Sequence, residues 1–204
     1  MIDLSEVEIS QRLEDALHKT GETAASEYPD LPELLGSPSI PAAVLIPLFM
    51  KENHWHLLFI RRTADQYEHS NQVAFPGGRT DPQDASPEQT ALREAREEIG
   101  LQPDAVQVLG RLRASLTITH YCVTPVIGVI PWPYPFRLAS QEVSRIFIIP
   151  LDWLEDPHNH EIRERALPLP FTKVPVIYFH PYDGEVLWGA SARFTLALLD
   201  VLKS

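Results

Sequence analysis

Cysteine is nearly absent from this chain: Cys122 is the only one in 204 residues. A single thiol excludes an intramolecular disulfide and any zinc site built on cysteines. It also makes a reducing cytoplasm the expected setting. Long apolar runs are missing as well. No stretch reaches the ~18 residues that a membrane helix needs. The opening MIDLSEVEIS has neither the basic start nor the apolar block of a signal peptide. Positive charge is scarce, with 17 Lys and Arg against 28 Asp and Glu and a formal net charge of −11. Such a surface repels nucleic acid and anionic membranes. A phosphate-bearing substrate would therefore need local neutralisation, and a divalent cation is the obvious agent.

Proline, by contrast, is abundant. It fills 19 of 204 positions, about twice the usual share of ~5%, so long helices throughout are not expected. Hydrophobic residues at 44% and charged residues at 22% are ordinary for a globular protein. A chain of this length buries roughly 70% of its unfolded surface and needs no covalent staple. The expected organisation is an N-terminal helical extension over 1–38 and one main domain over 39–204.

Val7, Ile9, Leu13, Ala16 and Leu17 follow helical spacing, and predict a helix packed on the domain or on a subunit partner. Ala43 to Ile46 and Trp55 to Ile60 are short apolar runs joined by Lys51-Glu52-Asn53, which predicts a hairpin. Further strands are expected at Gln72 to Phe75, Val106 to Leu112, Tyr121 to Ile130 and Ile146 to Ile149. Val174 to Phe179 and Glu185 to Leu187 form an expected hairpin around Asp183-Gly184. Pro76-Gly77-Gly78 and the run from Pro131 to Pro135 are expected loops. A last helix is expected from Ala190 to Leu202. Strands in hairpins with few helices indicate an α+β fold, an α/β/α sandwich, rather than a doubly wound sheet.

The clearest helix runs from Ser86 to Ile99. Ser86 is a good N-cap, Pro87 suits the first turn, Gln89 predicts a capping box, and Gly100 suits a left-handed C-cap. On that helix Glu94, Glu97 and Glu98 lie three and four residues apart and are expected to share one side, while Ala91, Ala95 and Ile99 form another stripe. Arg93, four before Glu97, is placed to hold it. Crowded carboxylates destabilise a bare helix. A hard cation such as Mg²⁺, which takes oxygen ligands and pairs with phosphates, would relieve them.

Gly78, followed by Arg93-Glu94-Ala95, Glu97-Glu98 and Gly100-Leu101, resembles the signature of the Nudix hydrolases. The acid after Gly78 is Asp84 rather than Glu, and eight residues instead of seven separate it from Arg93. Leu57 to Thr63 and His69 to Gly78 resemble the additional motif of the coenzyme A pyrophosphatase branch, although Asn71 replaces a usual Gly and Tyr67 a usual basic residue. Thr124 to Gly128 and Leu187 to Arg193 resemble that branch too. The likeness spans roughly residues 40 to 203.

This resemblance implies a Nudix fold, with a mixed sheet between helices, and metal-dependent hydrolysis of a diphosphate linkage. Glu94, Glu97 and Glu98 would bind Mg²⁺ or Mn²⁺, and Arg93 would orient them. Glu142, just before the expected strand at Ile146, is the candidate distal general base, with Glu94 as the other. Coenzyme A or a derivative would be cleaved to 4′-phosphopantetheine and adenosine 3′,5′-bisphosphate. Arg61 and Arg62 would meet the 3′-phosphate, Gly77 and Gly78 would line the site, and His69 and Gln72 would shape its entrance. A homodimer is compatible with this reading. Another nucleoside diphosphate derivative, such as ADP-ribose or a dinucleotide, remains an open substrate, and a non-catalytic Nudix-fold binding module a further alternative. His158, His160 and Glu161 are not expected to bind metal, because they sit in a polar, proline-flanked stretch without cysteine. Ser191 in Gly189 to Arg193 lacks the final Gly of a nucleophile elbow. Trp132, Tyr134 and Phe136 are expected to make a rigid loop.

Overall fold

A computed structural model describes residues 2–21, 38–63, 72–166 and 173–204. Helix α1 (Glu6–Thr20) starts at Ser5, whose hydroxyl accepts from the Glu8 N–H while Glu8 reaches back to Ser5, a complete capping box. Its two buried side chains, Ile9 and Leu13, join the main core, so the helix packs on the domain itself.

Strands β1 (Ile40–Lys51) and β2 (His54–Arg62) form the expected hairpin. Glu52 and Asn53 at its tip take positive φ of 52° and 63°, which matches the twist of the paired strands. The short strands β3 (Val73–Ala74) and β4 (Gly77–Arg79) follow. Then come helix α2 (Pro87–Ile99), β5 (Gln107–Arg111), β6 (Ser115–Leu116), β7 (Tyr121–Val129) and β8 (Val143–Pro150). The path β3-β2-β1-β7-β5 forms the sheet, with β4 paired to β1, β6 to β7 and β8 to β2. The β1–β7 pairing is parallel and the others are antiparallel, so the sheet is mixed.

Both faces of this sheet are covered, which explains the near-continuous burial of β1 and β2. Leu58 and Ile60 face α2 and meet Ala91, Ala95 and Ile99, as that stripe predicts. Leu57 and Phe59 face the other layer, made by α1 and the last helix, α4 (Gly189–Lys203). Between β8 and α4 lie a one-turn helix, α3 (Leu151–Glu155), and the strands β9 (His160–Arg165) and β10 (Val174–Phe179).

Two expectations need correction. The main partner of β10 is β9, in a separate two-stranded sheet, while the expected second arm makes only isolated bridges, Glu185 with Tyr182 around the Asp183-Gly184 turn and Trp188 with Tyr178 of β10. The sequence HEIRER is almost wholly polar and exposed, so it carries no hydrophobic alternation by which a strand would be read. Gly77-Gly78, read as loop, pair with Val44 and Ala43 of β1.

Candidate active site

Helix α2 carries the acids. Ser86 accepts from the Gln89 N–H, and Gly100 ends the helix in the left-handed region at φ 71°. The Gln89 side chain accepts from the Ala85 N–H instead of Ser86, so the expected capping box forms one residue out of place. The loop after β7 closes the other end. Arg137 and Ala139 donate their N–H groups to the carbonyls of Ile99 and Glu98, and the Trp132 ring stacks 4.2 Å from Phe49. The aromatic loop therefore anchors the C-terminal end of the acidic helix.

The three glutamates are not equivalent. The Glu98 side chain is 1% exposed, Glu94 17% and Glu97 60%. Helical rotation takes Glu94 and Glu98 inward toward the glycine strand and leaves Glu97 at the rim. Glu98 Oε2 accepts the Gly77 N–H at 2.9 Å. Its Oε1 is buried without a hydrogen bond, and Arg62 Nη1 stands 3.3 Å away as a charge contact only. Burial pushes the Glu98 carboxyl up to about 7, with Arg62 and the Gly77 N–H opposing. Burial also raises Glu94, against the pull of Arg93.

Arg93 organises the cluster. It donates to Glu94 at 2.8 Å, to Glu97 at 3.1 Å, to Asp84 at 2.9 Å and to the Arg79 carbonyl at 2.9 Å. Asp84 also accepts from Thr90 and from the Asp81 N–H, and its bonds to Arg93 lead the causes that lower its carboxyl to about 2. The extra residue between Asp84 and Arg93 thus leaves their contact intact.

The glycines are required by close approach. A Cβ on Gly78 would stand 2.6 Å from the Glu94 carboxyl carbon, and one on Gly77 2.4 Å from the Ala43 carbonyl oxygen.

A family model for the NUDIX domain matches residues 39–169. The chain belongs to the Nudix family. It is a Nudix hydrolase, an enzyme acting on phosphoric anhydride bonds. It is 36% identical over 169 residues to an uncharacterized Nudix hydrolase NudL of Photorhabdus laumondii, covering 81% of this chain and 87% of that protein. It is 46% identical over 110 residues to an uncharacterized Nudix hydrolase NudL of Escherichia coli K12, covering 54% of this chain and 57% of that one. A MutT/nudix family protein from Enterococcus faecalis shares the fold, with a TM-score of 0.51 and 17% identity over 97% of this chain and 74% of that chain.

Of the remaining expected site residues, Arg62 and Glu142 lie near this Nudix helix. Gln72 lies beside Arg62, whose N–H donates to the Gln72 carbonyl. His69 lies outside the described residues. Glu142 begins the approach to β8; its carbonyl accepts the Thr63 N–H, and its charge raises both Glu94 and Glu98.

Arg61 and Arg62, expected as joint phosphate ligands, separate. Successive strand residues face opposite sides, so Arg62 meets Glu98 on the α2 face while Arg61 meets Glu185 on the other. The cluster that Arg61 forms with Arg145 and the buried Glu185 was not expected, because it joins segments far apart in the sequence.

Among the described residues no three His, Cys, Asp or Glu side chains stand as a ready ligand set. Glu94 and Glu97 point to Arg93, and Glu98 to Gly77 and Arg62. The donors nonetheless suit a hard divalent cation. They are carboxylate oxygens, one of them buried with no hydrogen-bond donor, beside a glycine strand that leaves room. Among the described residues no helix is long and apolar enough to cross a membrane.

Proposed function

We propose that this Nudix hydrolase cleaves the diphosphate linkage of coenzyme A or a derivative, giving 4′-phosphopantetheine and adenosine 3′,5′-bisphosphate. The observation that carries the reaction type is the buried Glu98 carboxylate, held by the Gly77 N–H beside Arg62 with one oxygen lacking a donor. The substrate rests on the motif segments around Leu57 to Gly78, Thr124 to Gly128 and Leu187 to Arg193.

Glu94 and Glu98, with Glu97 at the rim, would hold Mg²⁺ or Mn²⁺. When bound, such an ion neutralises phosphoryl oxygens and lowers the pKa of the attacking water. The chain's own residues supply positioning. Arg93 fixes Glu94 through a guanidinium itself locked by Asp84. Arg62 places a positive charge beside Glu98, where the diphosphate would lie. Glu142 would take the proton from the attacking water, at a place whose charge both catalytic glutamates feel. Gln72 and His69 would flank the entrance. The setting would be cytoplasmic and a homodimer would be compatible with it.

The test is direct. Purified protein with Mg²⁺ is given coenzyme A, ADP-ribose and a dinucleotide, and products are weighed by mass spectrometry. Preferred cleavage of coenzyme A to the two named products supports the reading. Preference for either other compound replaces the substrate, and cleavage of none would mark a binding module.

A further inference from the structure

We propose that Arg62 is a displaceable counter-ion of Glu98: its guanidinium competes with the divalent cation for Glu98 Oε1 and, once released, turns to the diphosphate of the substrate. This rests on the reading of Glu98 as a ligand of that cation.

Glu98 divides its two oxygens between two kinds of partner. Oε2 accepts the Gly77 N–H at 2.9 Å, a backbone donor that orients the carboxylate from the strand. Oε1 faces Arg62 Nη1 at 3.3 Å without a hydrogen bond. Withdrawal of Arg62 from Oε1 therefore leaves the carboxylate oriented. The two arginines of the site differ in the same sense. Arg93 is locked by Asp84, Glu94, Glu97 and the Arg79 carbonyl. The Arg62 guanidinium makes one ionic contact and no hydrogen bond among the described residues. A guanidinium carries five donors, so this one is lightly held and keeps its hydrogen-bonding capacity in reserve.

The backbone under Arg62 is pinned, so release needs only a side-chain rotation. The Arg62 N–H donates to the Gln72 carbonyl at 3.0 Å, and the adjoining Thr63 N–H donates to the Glu142 carbonyl at 2.9 Å. Between Arg61 and Arg62 the ladder with β8 skips Ser144, whose hydroxyl donates to the Arg61 carbonyl at 3.1 Å. An irregularity of this kind re-aims the side chain beside it. Arg62 thus stands at the rim, 22% exposed, over a carboxylate that is 1% exposed.

A buried carboxylate needs a positive charge beside it. Arg62 meets that need through charge alone, and a divalent ion at the same oxygen meets it with twice the charge. Both cannot stay at Oε1, because like charges repel strongly at such depth. Arg62 yields the oxygen and offers its planar fork to phosphoryl oxygens. The buried charge stays compensated throughout the exchange. An arginine that only braced Glu98 as a ligand would act in the opposite sense, since its removal would weaken cation binding.

The experiment titrates paramagnetic Mn²⁺ into the parent, Arg62→Gln, Arg62→Lys and Glu98→Gln proteins at pH 8.5 without substrate. Arg62→Gln should bind Mn²⁺ about tenfold tighter or more, because one positive charge has left the site. Arg62→Lys should stay within about threefold of the parent, since the charge remains. A second measurement needs no variant. Arginine modification by phenylglyoxal, mapped by mass spectrometry, should accelerate several-fold at Arg62 in saturating Mg²⁺, with Arg145 on the other face of the sheet as the internal reference. Mn²⁺ affinity that is unchanged or lower in Arg62→Gln overturns the proposal, as does an Arg62 modification rate that Mg²⁺ leaves unchanged. If Arg62→Gln does not fold, the modification rate decides. Should Glu98→Gln bind Mn²⁺ as the parent does, the assignment of Glu98 as a cation ligand falls and the proposal with it. Should Glu98→Gln lose Mn²⁺ while Arg62→Gln gains nothing, that assignment stands and this proposal alone fails.

Discussion

Glu98→Gln is expected to stabilise the metal-free protein above pH 7 while removing most of its activity. The Glu98 carboxyl titrates at about 7 in the fold, against 4.5 for the free group, because burial disfavours its charge. A raised folded-state pKa means that the folded protein binds this proton more tightly than the unfolded chain does. The resulting stability is fully present below pH 4.5 and is lost as the pH climbs through 7. At about 1.36 kcal/mol per pH unit, the displacement from 4.5 to about 7 amounts to about 3 kcal/mol. Gln copies the protonated carboxyl and avoids that cost at every pH. For a domain of this size the gain corresponds to roughly 6–12 °C in Tm.

Thermal unfolding of parent and variant in chelator, at pH 5 and pH 8.5, reads the effect. The variant should melt clearly above the parent at pH 8.5 and close to it at pH 5. Saturating Mg²⁺ should raise the parent, by stabilising the charged carboxylate, and leave the variant nearly unmoved. Turnover of the variant should fall about 10²-fold or more, equivalent to ~3 kcal/mol of transition-state stabilisation. A Tm difference that is the same at both pH values would refute the assignment of burial as the cause. Activity within about threefold of the parent would refute the catalytic role.

The neighbouring glycines should respond differently from each other. Gly77→Ala drives a Cβ into the Ala43 backbone and should cost about 2 kcal/mol or more in denaturant unfolding. Gly78→Ala meets only the end of the Glu94 side chain, so stability should change by less than about 1 kcal/mol while kcat falls. Asp84→Asn loses the charged partner of Arg93. Since the Asp84 carboxyl is lowered to about 2 from 3.8, its contribution is present above pH 3.8 and vanishes as the pH falls through 2. The variant should therefore melt lower than the parent at pH 7, by on the order of 1 kcal/mol, and approach it in strong acid. Glu142→Gln should lower kcat by about 10²-fold or more without changing Mn²⁺ affinity, if Glu142 accepts the proton. A titration of paramagnetic Mn²⁺ together with a pH–rate profile separates that role from metal binding.

Short-range chemistry made much of this protein readable from its residues. Ser86, Pro87 and Gly100 bound the acidic helix because caps act within one turn. The turn at Lys51-Glu52-Asn53 and the apolar stripe of Ala91, Ala95 and Ile99 follow from equally local rules. Even there, the Gln89 bond to Ala85 shows that a cap is decided by which N–H lies within reach. The strand β9 stayed hidden because its support comes from β10 and not from its own polar sequence.

The residues alone determined that three carboxylates and an arginine would stand on one short helix behind a pair of glycines, since helical spacing and backbone access are properties of the chain. Tertiary structure decided which of those acids is buried. Burial singles out Glu98 from Glu97, because desolvation depends on what packs around a side chain and not on what precedes it. The sheet likewise sent Arg62 to Glu98 and Arg61 to Glu185 and Arg145. That sorting is a consequence of strand pleat and register between segments more than 80 residues apart, and no local pattern contains it.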